Sequence, residues 1–177
     1  SANVASTLVE QIDHLSKIAA DFSQFANISY TNMEEFDVHE ILRSLQELYR
    51  SDENIEFVCE TVPMKLIVNA DKTQMNRLFT NLFGNAVEAC EGRMCRIEVS
   101  EQLIEGKIRI SIKDNGEGIP DEMKSRIFIP NFTTKSSGTG LGLAMCKGIV
   151  EQVKGKIWFE TLRGNGTTFH VELPLVD

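Results

Sequence analysis

The chain has 177 residues, 42% of them apolar and 25% charged, with a formal net charge of −8 at pH 7. That length suffices for one compact α/β domain with a real core plus an appendage, and two full domains are not expected. The acidic balance argues against a nucleic-acid or anionic-membrane surface, no window holds the apolar run of a membrane span, and no signal peptide precedes the chain, so a soluble cytoplasmic polypeptide is expected.

In chain order, Ala5, Leu8, Ile12, Leu15, Ala19, Phe22 and Ala26 recur at spacings of three and four, which is a heptad seam. Ile18 and Phe25 widen the stripe. The first 30 residues therefore read as one long helix that either joins an intermolecular bundle or packs on the domain behind it. Residues 29–36 read as a linker with a short strand. Asp37 followed by Glu40 resembles a capping box, and Val38, Ile41, Leu42, Leu45 and Leu48 give the face of a helix ending near Arg50.

Ile55 to Glu60 and Lys65 to Val68 are expected as two strands with Pro63 in the turn between them. Asp71 with Gln74 opens a second helix, whose face is Met75, Leu78, Phe79, Leu82, Ala86 and Ala89. Arg96 to Leu103 and Lys107 to Lys113 form a hairpin at Glu105-Gly106. After a tight turn over 114–120, a short helical piece is expected from Asp121 to Phe128. Leu141 to Val153 reads as a helix, and Lys156 to Leu162 with Thr167 to Leu173 as a closing hairpin. Helices segregated from a mostly antiparallel sheet make the class α+β, a two-layer α/β sandwich preceded by one long bundle-forming helix. Cys59, Cys90, Cys95 and Cys146 lack paired C-x-x-C spacing and are read as reduced thiols, Cys90 and Cys95 being at most a weak metal or redox pair.

Three stretches carry chemistry. The segment 131–144 is hydroxyl-rich and runs through alternating glycines Gly138, Gly140 and Gly142 into an apolar helix. Such glycines let the backbone approach a ligand, and a helix start offers unpaired N–H groups to an anion; the alternative is a flexible loop. Asn81 and Asn85 share one helix face with Glu88 one turn beyond, which suits either a polar ligand and a hard cation such as magnesium or buried amides satisfied by backbone. Asp114 ends a strand before a turn holding Gly116 and Gly118. It is read either as an Asx turn or as a carboxylate that accepts from the exocyclic amine of adenine.

Together these stretches resemble the boxes of sensor histidine kinases within the wider GHKL ATPase superfamily. The 81–89 segment is similar to the asparagine box, 114–119 to the first glycine box, 127–135 to the phenylalanine box, 138–143 to the second glycine box and 164–169 to the closing glycine-threonine segment. The resemblance implies a Bergerat-type ATP-binding fold over residues 31–177 and a partial dimerisation helix over 1–30. It implies ATP and Mg2+ as cofactors, with Asn85 holding the metal, Asn81 beside it, and Asp114 binding the adenine amine. Gly116, Gly118 and Ile119 would line the base pocket. Thr133, Thr134, Lys135, Gly138, Thr139, Gly140, Leu141, Gly142 and Leu143 would form a lid over the phosphates, with Lys135 on the γ-phosphate; Glu88 and Thr167 complete the nucleotide set.

The implied partners are a second copy of the chain through the N-terminal helix and a response regulator receiver domain. Glu88 resembles the nitrogen-regulation type of sensor kinase, and Asn131 stands where many members carry an aromatic. The phosphate-accepting histidine belongs to a helix outside this chain by the same resemblance; His39-Glu40-Ile41-Leu42 only imitates it. Gyrase-, mismatch-repair- and chaperone-type relatives use a glutamate four residues before the magnesium asparagine, where this sequence has Asn81. A module that binds nucleotide without transferring phosphate is the third possibility.

Overall fold

The computed structural model describes residues 2–28, 31–130 and 141–177. Helix α1 (Ala2–Ala26) carries the heptad seam, and Leu8, Ile12, Leu15 and Phe22 on it are more than half exposed. Toward the C-terminal end of α1 the chain meets the domain, where Phe25 and Ile28 pack against the core. Strand β1 (Met33–Asp37) pairs antiparallel with β3 (Ile67–Asp71) in a separate two-stranded sheet. Between them lie α2 (His39–Arg50) and β2 (Ile55–Glu60).

One expectation changes here. Val38, not Asp37, occupies the N-cap of α2, without a side-chain cap. The Asp37 Oδ1 instead accepts from the backbone N–H groups of His39 and Leu66, both at 3.0 Å, and Glu40 accepts from Lys72 Nζ at 2.8 Å. The two strands expected on either side of Pro63 are present, the second shifted to Ile67–Asp71, and they lie in different sheets. β2 pairs parallel with a later strand, β4 (Cys95–Ile104), at the edge of the main sheet.

The main sheet has the order β2-β4-β5-β7-β6, with β5 at Lys107–Asp114, β6 at Lys156–Thr161 and β7 at Thr167–Pro174. Every pairing in it except β2 with β4 is antiparallel. The β4–β5 turn places Glu105 and Gly106 at φ 41° and 82°, the doubly left-handed geometry that matches the twist of the flanking strands. Alternation fixes the faces. Ile108, Ile110 and Ile112 of β5 are fully buried under α3 (Lys72–Ala89), together with Ile97, Val99 and Val171. Each such side chain withdraws enough apolar surface to contribute roughly 2 kcal/mol. On the opposite face the Arg109 guanidinium lies 5.0 Å over the Trp158 ring, which stacks on His170.

α3 and α4 (Gly142–Gln152) cover the inner face, as expected of a two-layer sandwich. The helical piece expected from Asp121 to Phe128 shortens to a single 3-10 turn, Asp121–Met123, followed by further turns. Lys154 takes the left-handed conformation (φ 61°) that ends α4, and Gly155 follows because a Cβ there would meet the Glu172 carbonyl oxygen at 2.3 Å. The expectation of four reduced thiols is corrected: Cys90 and Cys95 form a disulfide from the end of α3 to the start of β4 across residues 91–94. The turn after α3 folds back tightly enough to bring them together, which spacing alone does not reveal. Cys59 and Cys146 are free, and complete burial pushes the Cys146 thiol up to about 12.

No helix among the described residues is long and apolar enough to cross a membrane.

Candidate active site

α3 begins where Asp71 caps it, the Oδ1 accepting from the Gln74 N–H at 3.1 Å and the Oδ2 from the Asn32 N–H at 2.8 Å. Its apolar stripe (Leu78, Phe79, Leu82, Phe83) is fully buried, and this fixes the rotation of the helix. Asn81, Asn85 and Glu88 are thereby turned onto one side, where they line a cleft of about 540 Å³. The Asn81 amide donates to the Arg77 carbonyl at 2.9 Å, one turn back on its own helix. Its Oδ1 faces Gly142, where a Cβ would approach it to 2.9 Å, so the first turn of α4 sits directly against α3. Asn85 is half-buried on the same wall, and its side chain makes no hydrogen bond among the described residues, which leaves its carbonyl oxygen available to the cleft.

The facing wall is built around Asp114, 3% exposed at the end of β5. Its Oδ1 accepts from the N–H groups of Gly116 at 2.9 Å and Thr167 at 3.2 Å, which leaves the Oδ2 for a ligand. Burial raises the Asp114 carboxyl above the usual range, and these two donors only partly offset it. Gly166 (φ 89°) is forced by proximity, since a Cβ would lie 2.0 Å from the Asp114 carbonyl oxygen. Gly118 (φ 83°) lines the cleft, while the Ile119 N–H donates to Thr161 Oγ1 at 2.9 Å, itself 2.9 Å from Thr167 Oγ1. This hydroxyl relay ties the 114–119 turn to the final hairpin. Ile119, Pro120, Met123, Ile127 and Phe169 supply an apolar floor suited to a flat ring.

α4 enters the cleft with its N-terminus. Gly142 and Leu143 line it, and Leu141 at the N-cap has no side-chain cap hydrogen bond, so the positive helix end faces the cavity. Of the residues singled out from sequence, Asn81, Asn85, Glu88, Asp114, Gly118, Ile119, Gly142, Leu143 and Thr167 therefore share one cleft. Gly116 does not line it and is explained by packing: a Cβ there would meet the Ala89 carbonyl oxygen at 2.4 Å. Leu141, 1% exposed, also lies behind the surface. Thr133, Thr134, Lys135, Gly138, Thr139 and Gly140 lie outside the described residues. Sequence reasoning missed Lys17 and Asp21 of α1, which form part of the cleft wall. They stand four apart off the heptad seam, the only hint that this face meets anything.

Residues 70–177 match the family described as histidine kinase-, DNA gyrase B-, and HSP90-like ATPase. Among characterised proteins, the chain is 30% identical to the sensor histidine kinase ZraS of Klebsiella oxytoca over 97% of this chain and 38% of that protein. Among solved structures it resembles the catalytic domain of the histidine kinase ThkA at TM-score 0.72 and 37% identity, covering 82% of this chain and 97% of that one. The same ThkA solved with its response regulator protein TrrA aligns at TM-score 0.76 and 31% identity over 96% of this chain and 50% of that one. Full-length ShkA in complex with AMPPNP aligns at TM-score 0.78 and 26% identity over 99% of this chain and 39% of that one. The chain thus spans well under half of the length of the curated relative. With a matched segment that contains the amide face of α3, the Asp114 turn and the start of α4, this chain belongs to the family of histidine kinase-, DNA gyrase B- and HSP90-like ATPases.

Proposed function

We propose that the chain is the ATP-binding catalytic region of a two-component sensor histidine kinase, which transfers the γ-phosphoryl of ATP to a histidine on a dimerisation helix. One observation carries this reading: the Asn85 amide, the Asp114 carboxylate and the bare N-terminus of α4 open into one cleft. The free Asp114 Oδ2 accepts from the adenine amine, the apolar floor takes the ring, and the phosphates extend toward Asn85 and α4. Lys135, Thr133, Thr134 and the 138–140 glycines are assigned to the lid over the phosphates.

The donor set fits magnesium, because Asn85 offers a neutral oxygen without a partner among the described residues and this cation is held mostly by phosphates and water. When bound, the metal neutralises charge that develops on the phosphates. The residues of this chain contribute orientation: Asp114 fixes the base, and the first turn of α4, braced by Asn81, presents N–H groups to the phosphate end.

Transfer to a histidine is preferred over hydrolysis because position 81 offers an amide, already donating to Arg77, in place of a carboxylate that could activate water. The histidines of the catalytic unit are unsuited as acceptors. His39 Nε2 is held 2.7 Å from the fully buried Glu101 carboxylate, and His170 Nδ1 lies 2.6 Å from Ser111 Oγ. Residues 31–177 then form the catalytic unit and 1–30 a dimerisation helix whose exposed seam meets a second copy. The receiver domain of a response regulator is the downstream partner, by analogy with the ThkA complex. We place the chain in the cytoplasm, in contact with neither nucleic acid nor membrane.

The test is transfer of the γ-phosphoryl from labelled ATP, with magnesium, to a separately purified helical hairpin bearing an acceptor histidine. Acid-labile label on the hairpin, lost with Asn85→Ala, is the expected result. Label on this chain itself, or steady ATP hydrolysis without the hairpin, overturns the assignment.

A further inference from the structure

The described side chains of the cleft hold four carboxylates, Asp21, Glu88, Glu91 and Asp114, against one cation, Lys17. Such a wall repels a polyphosphate unless positive charge is placed where the phosphates end. Lys17 comes from α1 rather than from the catalytic unit, is exposed, and has no ion pair or hydrogen bond among the described residues.

Its height above the cleft follows from the packing of α1 on α4. A Cβ on Gly148 would lie 3.1 Å from Ile28 Cδ1, so the turn that ends α1 touches α4 there. At the 1.5 Å rise of an α-helix, going back six residues along α4 to Gly142 covers about 9 Å, and going back seven along α1 to Asp21 covers about 10 Å. Asp21 is thus level with the open N-terminus of α4, and Lys17 stands one turn beyond it. Both line the same cavity as Gly142 and Leu143, which requires the helices to run in the same direction.

We infer that Lys17 is a phosphate-positioning residue: α1 completes the nucleotide site by bringing this ammonium to the distal phosphate, and so senses whether the third phosphate is present. This rests on the ATP-site reading above. A nucleotide whose base occupies the Asp114 wall presents its β- and γ-phosphates to the side where Lys17 is the one described cation. An ammonium over a phosphate is a charge-assisted contact, and its loss weakens triphosphate binding by about tenfold.

The test is calorimetry on the full chain with a non-hydrolysable magnesium–ATP analogue, magnesium–ADP and adenosine, comparing wild type, Lys17→Met and Lys17→Arg. The Met variant is expected to lose about tenfold for the triphosphate and less for the diphosphate, with adenosine within twofold of wild type and the Arg variant restored to near wild type. Triphosphate affinity unchanged in Lys17→Met, or an equal loss for adenosine, overturns the inference while leaving the ATP site standing. A wild-type chain that binds none of the three overturns the site reading and this inference with it. Lys17 is exposed, so folding of the variants is not at stake.

Discussion

The backbone N–H of Thr167 donates to the Oδ1 of Asp114 across 53 residues of chain, at 3.2 Å, and so the last strand orients the carboxylate at the end of β5. With the Gly116 N–H on the same oxygen, the carboxylate is held with its other oxygen toward the cleft. Substitutions at and around this contact separate what serves the ligand from what serves the fold.

Asp114→Asn keeps an oxygen for both N–H donors and removes the charge. Because burial raises the folded-state pKa of this carboxyl, its stability contribution is fully present below the unfolded value, about 4, and is lost as pH rises through the folded value. The variant should therefore melt higher than wild type at pH 7, with the gain vanishing as the pH approaches 4. It should also bind adenosine at least tenfold more weakly. Scanning calorimetry across pH together with titration of adenosine checks both; unchanged adenosine affinity removes Asp114 from the base pocket.

Gly166→Ala and Gly164→Ala form a matched pair. Both positions have positive φ, near 90°, but a Cβ at 166 would lie 2.0 Å from the Asp114 carbonyl oxygen while the space around 164 is open. Gly164→Ala should cost about 1 kcal/mol, the backbone term alone, and Gly166→Ala at least twice that, with loss of nucleotide binding. Urea denaturation of the two variants measures the difference, and equal costs would show that the Asp114 contact is not tight.

Asn85→Ala should uncouple magnesium from binding. The triphosphate analogue is expected to lose about tenfold or more in the presence of the metal, whereas adenosine should bind as in wild type, since Asn85 stands on α3 and the base is assigned to Asp114 at the end of β5. A metal titration at fixed analogue concentration reads this out. Retained magnesium dependence would exclude Asn85 as the ligand.

His39→Ala should fail as a stability change, not as a loss of phosphate acceptor. Glu101 has a fully buried side chain whose partners are His39 Nε2 and the Val62 N–H at 2.8 Å. Truncating the imidazole leaves a buried carboxylate short of a donor, at about 3 kcal/mol. Nucleotide affinity should stay within twofold wherever the variant is folded, and phosphoryl transfer to an added hairpin should persist.

Reduction of the Cys90–Cys95 bridge removes a constraint that spans only five positions in sequence. A loop this short stabilises by about 2 kcal/mol at most, so the thermal midpoint should drop by roughly 5 °C in reductant and by a similar amount in Cys90→Ala/Cys95→Ala. A midpoint indifferent to reductant would mean that the thiols are unpaired in solution.

What sequence reveals about this molecule is local. Asp71 with Gln74 announces its own cap, Glu105-Gly106 its own turn, and the alternating Ile108, Ile110 and Ile112 their own buried face, since each signal lies within a few residues. The amide face of α3 and the Asp114 turn are legible for the same reason. Relations between distant elements are not. Asp37 looks like a helix cap, but its Oδ1 is shared between the His39 N–H and that of Leu66, 29 residues away. β2 and β3 are consecutive strands but belong to separate sheets, and Lys17 looks like any solvated lysine on a heptad helix until α1 meets α4.

One consequence reaches back to how the molecule is made. β7 is inserted between β5 and β6 in the sheet, and Thr167 at its start holds the Asp114 carboxylate. On the ribosome, everything up to α4 emerges before that strand does, so the nascent polypeptide exposes an unfilled slot beside β5 and lacks a set base pocket. Competence for nucleotide arrives only once β7, Thr167–Pro174, has left the exit tunnel.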